Sequence, residues 1–317
     1  MRIVFMGTPE FAVASLDLLV KNDFEVVGVV TVPDKPAGRG RQLQVSPVKE
    51  YALRQGLPLL QPEKLKDPEF LDTLRSLKAD LQVVVAFRML PEQVWNMPPL
   101  GTYNLHASLL PRYRGAAPIN WAVIQGEKET GVTTFRLKHE IDTGNILFQE
   151  KVNLPETMTA GELYQVLMDK GAHLLLKTVR EIGKSQKGES DLSFSVQEES
   201  GVSHAPKLVK ETGHIDWNRP VKEIYNLIRG LSPYPGAYTH IRSGDRVLLL
   251  KIFSAVYEPQ EHQEAAGRVV SDDKAWIRVY GAGGVLVIRE LQLEGKKRMP
   301  AGEFLKGFKI PPGTLLT

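Results

Sequence analysis

The order in which apolar periodicity changes along this chain constrains its fold more than any other feature. From Arg2 to Leu105, short apolar runs alternate with amphipathic stretches. Arg2–Met6, Val26–Val32, Leu57–Leu60, Leu81–Phe87 and Gly101–Leu105 read as strands; Pro9–Lys21, Ser46–Gln55 and Pro68–Leu77 read as helices. Thr8 is placed to cap the first helix, with Pro9 in its first position. The Val-rich run Leu81–Phe87 is of the kind buried on both faces of a parallel sheet. This alternation predicts an α/β fold, an open and mostly parallel sheet wrapped by helices. Pro33–Arg41 interrupts the pattern, and its prolines and glycines argue against regular structure there.

The periodicity then shifts. Ile119–Gln125 reads as a helix, and Gly131–Leu137 and Ile146–Val152 alternate like an antiparallel pair. Thr159–Ile182 is a long amphipathic helix opened by a Thr-x-x-Glu capping box, Thr159 to Glu162. Gly183–Ser203 is rich in Ser, Gln, Glu, Lys and Gly and reads as a linker. Beyond it, the helix Val221–Gly230 precedes short strands at Ala237–Ile241, Arg246–Phe253, Gly267–Ser271, Trp276–Tyr280 and Val285–Leu293. That spacing suggests a small β-barrel or a sandwich. The length, 317 residues, is also that of two domains. The expected limits are residues 1–184, a linker at 185–206, and residues 207–317.

Charge divides along the same line. The total is only +3, but residues 1–204 carry −2 and residues 205–317 carry +5. A basic patch in the last third could meet a polyanion. The chain has no cysteine, which excludes disulfides, thiolate nucleophiles and zinc sites built on sulfur. Its apolar runs are strand-sized, far below the ~20 residues that span a bilayer, and Met1–Met6 is too short for a signal peptide. A cytoplasmic monomer with no membrane partner is expected.

The common cofactor motifs are missing. Gly7-Thr8-Pro9 has one glycine and then a proline where a dinucleotide-binding protein carries G-x-G-x-x-G. Asp34 stands where a ribose-binding acid would, but without those glycines a dinucleotide is not expected. No Walker motif, G-x-S-x-G or H-E-x-x-H occurs. Attention moves to the end of the Gly101–Leu105 strand, because ligands of open α/β sheets bind beyond the carboxyl ends of strands. Asn104 and His106 are two apart on a strand and share a face. A carboxamide there can donate to a developing oxyanion, and an imidazole can move a proton near neutral pH. The plainer alternative is a histidine that satisfies a buried carbonyl. Asp142, in the loop His139–Gly144, is either an ordinary turn residue or the group that orients an imidazole.

These residues carry a resemblance. Asn104-Leu-His106-x-Ser-Leu-Leu-Pro111-x-Tyr-Arg-Gly115-Ala-Ala-Pro118, followed by Ile141-Asp142-Thr143-Gly144, resembles the folate-dependent formyltransferases. Phe5-Met-Gly-Thr-Pro-Glu-Phe11, Pro33-Asp-Lys-Pro-Ala-Gly-Arg-Gly40, Ile215-Asp-Trp217 and Ile228-Arg-Gly-Leu-Ser-Pro-Tyr-Pro-Gly236 extend the likeness nearly end to end, toward the branch that acts on aminoacyl-tRNA. The resemblance implies a Rossmann-like catalytic domain followed by a small OB-like β-barrel of five strands. It implies direct transfer of the formyl group of a 10-formyltetrahydrofolate cosubstrate to the α-amino group of initiator methionyl-tRNA, with no metal. By motif, Asn104 becomes the oxyanion donor. His106, protonated, stabilises the same oxygen, and Asp142 supports that imidazolium and relays the amine proton.

The resemblance places the pterin beside Phe87, Arg88, Met89 and Leu90 and beside Ser108, Leu109, Leu110 and Pro111, largely through backbone groups. The chain departs from its relatives at Ala86-Phe-Arg-Met-Leu-Pro91, which is one residue shorter and lacks a glycine. For tRNA, the candidates are Lys35, Arg39 and Arg41 in the Gly/Pro loop, and Lys207, Lys210, Arg246, Lys296, Lys297 and Arg298 in the second domain. Two rivals share parts of this reading: a formyltransferase for a small amine such as a nucleotide-linked amino sugar, and a non-catalytic tRNA-binding protein.

Overall fold

A computed structural model describes residues 1–37 and 42–317. Its elements begin with β1 (Arg2–Gly7), α1 (Glu10–Lys21), β2 (Glu25–Val30), β3 (Lys35–Ala37), β4 (Gln42–Gln44), α2 (Pro47–Arg54), β5 (Leu59–Leu60), α3 (Pro68–Ser76), β6 (Leu81–Val85) and α4 (Glu92–Trp95). They continue with β7 (Thr102–His106), β8 (Arg114–Gly115), α5 (Pro118–Ile124), β9 (Glu129–Arg136), β10 (Ile146–Asn153), α6 (Ala160–Gln186) and β11 (His204–Ala205). The last are α7 (Val221–Gly230), β12 (Ala237–Ser243), β13 (Arg246–Pro259), β14 (Val269–Ser271), β15 (Ile277–Gly281), β16 (Gly284–Leu293), β17 (Met299–Pro300) and α8 (Ala301–Gly307). Two compact units result: Met1–Gly115 with Thr130–Asn153 and Tyr164–His204, and Ala116–Glu129 with Leu154–Leu163 and Ala205–Thr317.

The first unit is built on a seven-stranded sheet in the order β10-β9-β7-β6-β1-β2-β5. From β5 to β7 its strands are parallel, and β9 is antiparallel to β7. Every residue of β6 is buried, as the Val-rich run requires. Gln82 is its polar exception, and it accepts a hydrogen bond from the Thr102 hydroxyl at 3.1 Å. One face of the sheet packs Val4, Met6, Val30 and Val84 against Phe70, Leu71 and Leu74 of α3. Each such buried side chain contributes about 1.5–3 kcal/mol.

Local chemistry sets the helix boundaries. Ser46 lies outside α2 as its N-cap, accepting from the Lys49 N–H at 3.1 Å, rather than inside the first turn. The Thr159–Glu162 capping box forms as expected, with bonds in both directions. Thr8, however, does not cap α1. Pro9 is the N-cap and offers no side-chain acceptor. The free Phe11 N–H is instead taken by the Tyr164 hydroxyl at 2.8 Å. The Pro33–Arg41 stretch also differs from expectation at its edges. Lys35–Ala37 and Gln42–Gln44 pair antiparallel, a two-strand ladder in which Pro36 faces Leu43 and which tolerates proline because every strand in it is an edge.

In the second unit, five strands run antiparallel in the order β12-β13-β16-β15-β14. β13 extends to Pro259, beyond the expected Phe253, through register shifts between Ile252 and Ala255 that bend the strand. The tail at residues 314–317 then closes the sheet. It bonds β12 through His240 and Thr317 in both directions (2.8 and 3.1 Å), and the β14 side through Val269 N–H to Thr314 and Leu316 N–H to Gly267 (3.0 and 2.9 Å). Gly267 is required here: its φ is +80°, and a Cβ would stand 2.4 Å from the Leu316 oxygen. The barrel interior is filled by Ile252, Val279, Leu286, Ile288 and Leu291, with Ile224 and Ile228 of α7.

Candidate active site

The carboxyl end of β7 delivers two side chains. Asn104 is partly exposed and His106 is 6% exposed, two residues apart on one strand. No partner for the Asn104 carboxamide occurs among the described residues, so its two N–H donors are uncommitted there. The His106 imidazole divides its nitrogens. Nε2–H donates to the Tyr113 carbonyl at 2.9 Å, which is the plainer role the sequence left open. Nδ1 is turned toward Asp142, 3.9 Å from Oδ2. That gap exceeds a direct hydrogen bond. It is also wider than the separation of two substituents on one tetrahedral carbon, so the two atoms can each touch a different atom of a reacting group.

Asp142 is reached by an unusual turn. Its φ is +55°, in the left-handed region that Asp tolerates better than most residues. The residue is 9% exposed, and Oδ2 accepts the Gly115 N–H at 2.9 Å. Gly144 completes the turn because a Cβ there would lie 1.7 Å from the Arg136 carbonyl oxygen. Tyr113, with φ +59°, turns its carbonyl to His106 in a second left-handed position.

The Ser108–Pro111 loop is held mostly by the protein itself. The Ser108 hydroxyl donates to the Arg112 carbonyl at 2.6 Å. Thr133 of β9 donates to the Ser108 carbonyl and accepts from the Leu110 N–H. Gln149 of β10 donates to the Leu110 carbonyl, and the Leu109 carbonyl accepts from Arg112 N–H. The carbonyls of Ser108, Leu109 and Leu110 and the Leu110 N–H are therefore already engaged. Leu109, Leu110 and Pro111 line a cavity of about 500 Å³ to which Asn104, His106 and Asp142 do not contribute.

The shortened segment behaves differently. Ala86, with φ +46°, takes a left-handed conformation where no glycine is available. Phe87 is partly exposed, Met89 is 74% exposed and Leu90 is buried. Arg88 is turned away: its guanidinium donates to the Glu63 carbonyl at 2.8 Å and to that of Pro62. Burial draws its pKa below the ordinary guanidinium value.

Asp34 is similarly occupied. Its carboxylate is clasped by Lys49 (2.5 Å) and Gln61 (2.9 Å). The Lys49 hydrogen bond, then that of Gln61, holds its pKa below the usual carboxylate value. Lys35 is exposed at the base of the hairpin, whereas Arg39 and Arg41 lie outside the described residues. Lys207, Lys210, Arg246, Lys296 and Lys297 are exposed in the second unit. Arg298 is engaged: it donates to Glu290 and stands 4.5 Å over the Phe253 ring.

Sequence reasoning missed the groups that hold the site together. Arg114 donates to Gln197 Oε1 through Nε and Nη2 (3.1 and 2.7 Å). Gln197 Nε2 donates to the carbonyls of Asp142 and Gly144, both at 2.8 Å. Arg114 lies inside the Tyr-Arg-Gly motif and could have been weighed. Gln197 sits in a stretch whose composition reads as linker, and nothing in the sequence singles it out. Among the described residues there is no group of three or more His, Cys, Asp or Glu able to hold a metal ion, and no helix is long and apolar enough to cross a membrane.

Comparison with known proteins places this geometry in context. Residues 1–179 match the formyl transferase family and residues 207–309 match the formyl transferase C-terminal domain. The methionyl-tRNA formyltransferase of Bacteroides fragilis is 53% identical over 315 residues, covering 98% of this chain and 96% of that protein. The one from Parabacteroides distasonis is 55% identical over 311 residues, with coverages of 98% and 96%. Among solved structures, HypX from Aquifex aeolicus in complex with tetrahydrofolic acid aligns at TM-score 0.63 and 20% identity, over 98% of this chain. The chain spans about half of that protein, 49%. The N-formyltransferase from Helicobacter canadensis, in complex with folinic acid and dTDP-3-aminofucose, aligns at TM-score 0.64 and 20% identity, covering 94% of this chain and 99% of that one. At such identity the last two are likenesses of fold.

Proposed function

The chain belongs to the formyl transferase family, and from that premise we propose that it transfers the formyl group of 10-formyltetrahydrofolate to the α-amino group of methionine on initiator tRNA. The observation that carries this reading is identity above 50% to methionyl-tRNA formyltransferases over 98% of the chain. The donor set of the site suits the chemistry. A neutral amine attacking a formyl carbon creates negative oxygen and positive nitrogen together, and both need a partner.

The Asn104 carboxamide donates to the oxygen. His106 has one nitrogen to give, Nδ1, since Nε2 is held by Tyr113; as an imidazolium it donates from Nδ1 to the same oxygen. Asp142 Oδ2, 3.9 Å away, accepts an N–H of the attacking amine, offsets the imidazolium charge and takes the proton that the amine must lose. That proton ends on the folate nitrogen whose bond to the formyl carbon breaks. Folate is held beside Phe87–Leu90 and Ser108–Pro111. Phe87 and Met89 offer apolar surface there, while Arg88 supports the segment from behind. Residues 1–184 carry the chemistry and 185–206 connect. Residues 207–317, as a monomer's second domain, hold tRNA by Lys207, Lys210, Arg246, Lys296 and Lys297, with Arg298 weakened by Glu290 and Lys35, Arg39 and Arg41 gripping the acceptor end.

One assay tests the whole. Purified protein is supplied with 10-formyltetrahydrofolate and either charged initiator tRNA or a nucleotide-linked amino sugar. Formyl on methionyl-tRNA is expected. Formyl on the sugar alone, or tRNA retained without transfer, would overturn the reading.

A further inference from the structure

We propose that Gln197 is a positioning residue for Asp142, so that the segment around it belongs to the catalytic framework. The proposal rests on the formyl-transfer reading of the same site. Gln197 is 8% exposed although its neighbours Val196 and Glu198 are exposed. Its two amide hydrogens go to the carbonyls of Asp142 and Gly144, and its oxygen takes two hydrogens of Arg114. Every hydrogen-bonding position of the side chain is filled. The amide has only one workable orientation, because a guanidinium only donates and a carbonyl only accepts.

The bonds join a loop and a short strand that meet at one carboxylate. The loop carries Asp142 in its left-handed turn. The strand is β8, Arg114 and Gly115, and the Gly115 N–H donates to Asp142 Oδ2. The flanking segment is anchored on both sides of Gln197. Ser195 pairs with Ile146 in both directions at 2.8 Å. Ser203 accepts the Tyr113 N–H on its hydroxyl and the Arg114 N–H on its carbonyl, both at 2.9 Å. A left-handed non-glycine residue persists only where its surroundings over-determine it. Gln197 grips the turn at the carbonyl of Asp142 itself and two residues beyond, which fixes where Oδ2 stands relative to His106 Nδ1.

The test is a double-mutant cycle in the full chain. Gln197→Leu removes the amide at similar volume, and Gln197→Glu keeps the Arg114 partner while setting a carboxylate oxygen against two carbonyls. Each is expected to lower kcat about 10- to 100-fold, the scale of a displaced catalytic group, with KM for both substrates within about twofold; the thermal midpoint falls because Arg114 and two carbonyls lose their partner, so kcat is read well below it. In an Asp142→Asn background the further loss should be under about threefold, because the glutamine acts through the aspartate. Equal losses in the two backgrounds, or full kcat in a folded variant, would overturn the proposal. If Gln197→Leu fails to fold, Gln197→Glu carries the same cycle. Wild-type protein that formylates another amine would defeat the functional reading alone, and the cycle is then run on that amine. The ring-nitrogen NMR signals of His106 give a readout without turnover: they should move in Gln197→Leu, and unmoved signals count against the positioning role.

Discussion

The polar groups around Asp142 and those on the barrel differ in how far each side chain is committed. In the first unit the groups are buried and each is hydrogen-bonded: His106, Ser108, Thr133, Asp142 and Gln197 are each less than a tenth exposed. In the second unit, Lys207, Lys210, Arg246, Lys296 and Lys297 stand in solvent. A buried polar set has one low-energy arrangement, because each unmet bond is expensive. An exposed cationic set has many arrangements, and its effect is a sum. The first suits bond-making at a fixed point, and the second suits holding a flexible polyanion.

The comparison can be broken experimentally. Asp142→Asn and His106→Ala should each lower kcat by roughly 10²–10⁴, read by single-turnover formylation with the thermal midpoint as control. A barrel lysine variant losing as much kcat would erase the distinction. Next in size is salt. Raising salt fourfold should weaken tRNA binding about 10- to 150-fold if two to four phosphates are neutralised, while folate KM stays nearly flat; a flat tRNA response would deny the barrel its part. Third, the barrel unit has a buried cation of its own. Arg229, 3% exposed, donates to Asn226 and to the Met158 carbonyl, and burial lowers its pKa. Arg229→Met should cost about 2 kcal/mol in denaturant unfolding without touching kcat.

The smaller effects sharpen the contrast. Arg298→Ala should weaken tRNA binding less than Lys296→Ala or Lys297→Ala, because Glu290 already answers its charge. Titration binding at low salt decides the order. Smallest is the Asp34 clasp, a half-buried pair in the first unit. Its lowered pKa, from Lys49 first and Gln61 second, means that the folded chain holds fewer protons there than the unfolded one. The stabilisation is present above the ordinary carboxylate pKa and is lost as pH falls through the lowered one. Lys49→Ala should move the Asp34 carboxyl carbon titration upward.

What the sequence revealed follows the same division. The sheet was legible because Val-rich β6 and the amphipathic helices have no second way to bury their apolar faces. Asn104 and His106 stood out as two polar groups sharing one strand face, while Asp142 was joined to them only through the family resemblance. Gln197 was invisible: an amide in a polar stretch looks the same whether it meets water or two carbonyls. Arg88 shows the reverse, a charged residue in a motif-like position whose guanidinium holds a neighbouring loop. The cap of α1 failed as a local reading because the partner of Phe11, Tyr164, lies 153 residues away.

Barrel closure by residues 314–317 has a consequence for synthesis. While the chain is still on the ribosome, β12 and β14 each present an open edge, and open edges recruit other strands. At about 5–20 residues per second, that exposure lasts until residues 314–317 have emerged and docked. Until then the portion carrying Asn104, His106 and Asp142 is already made while the barrel is still unsealed.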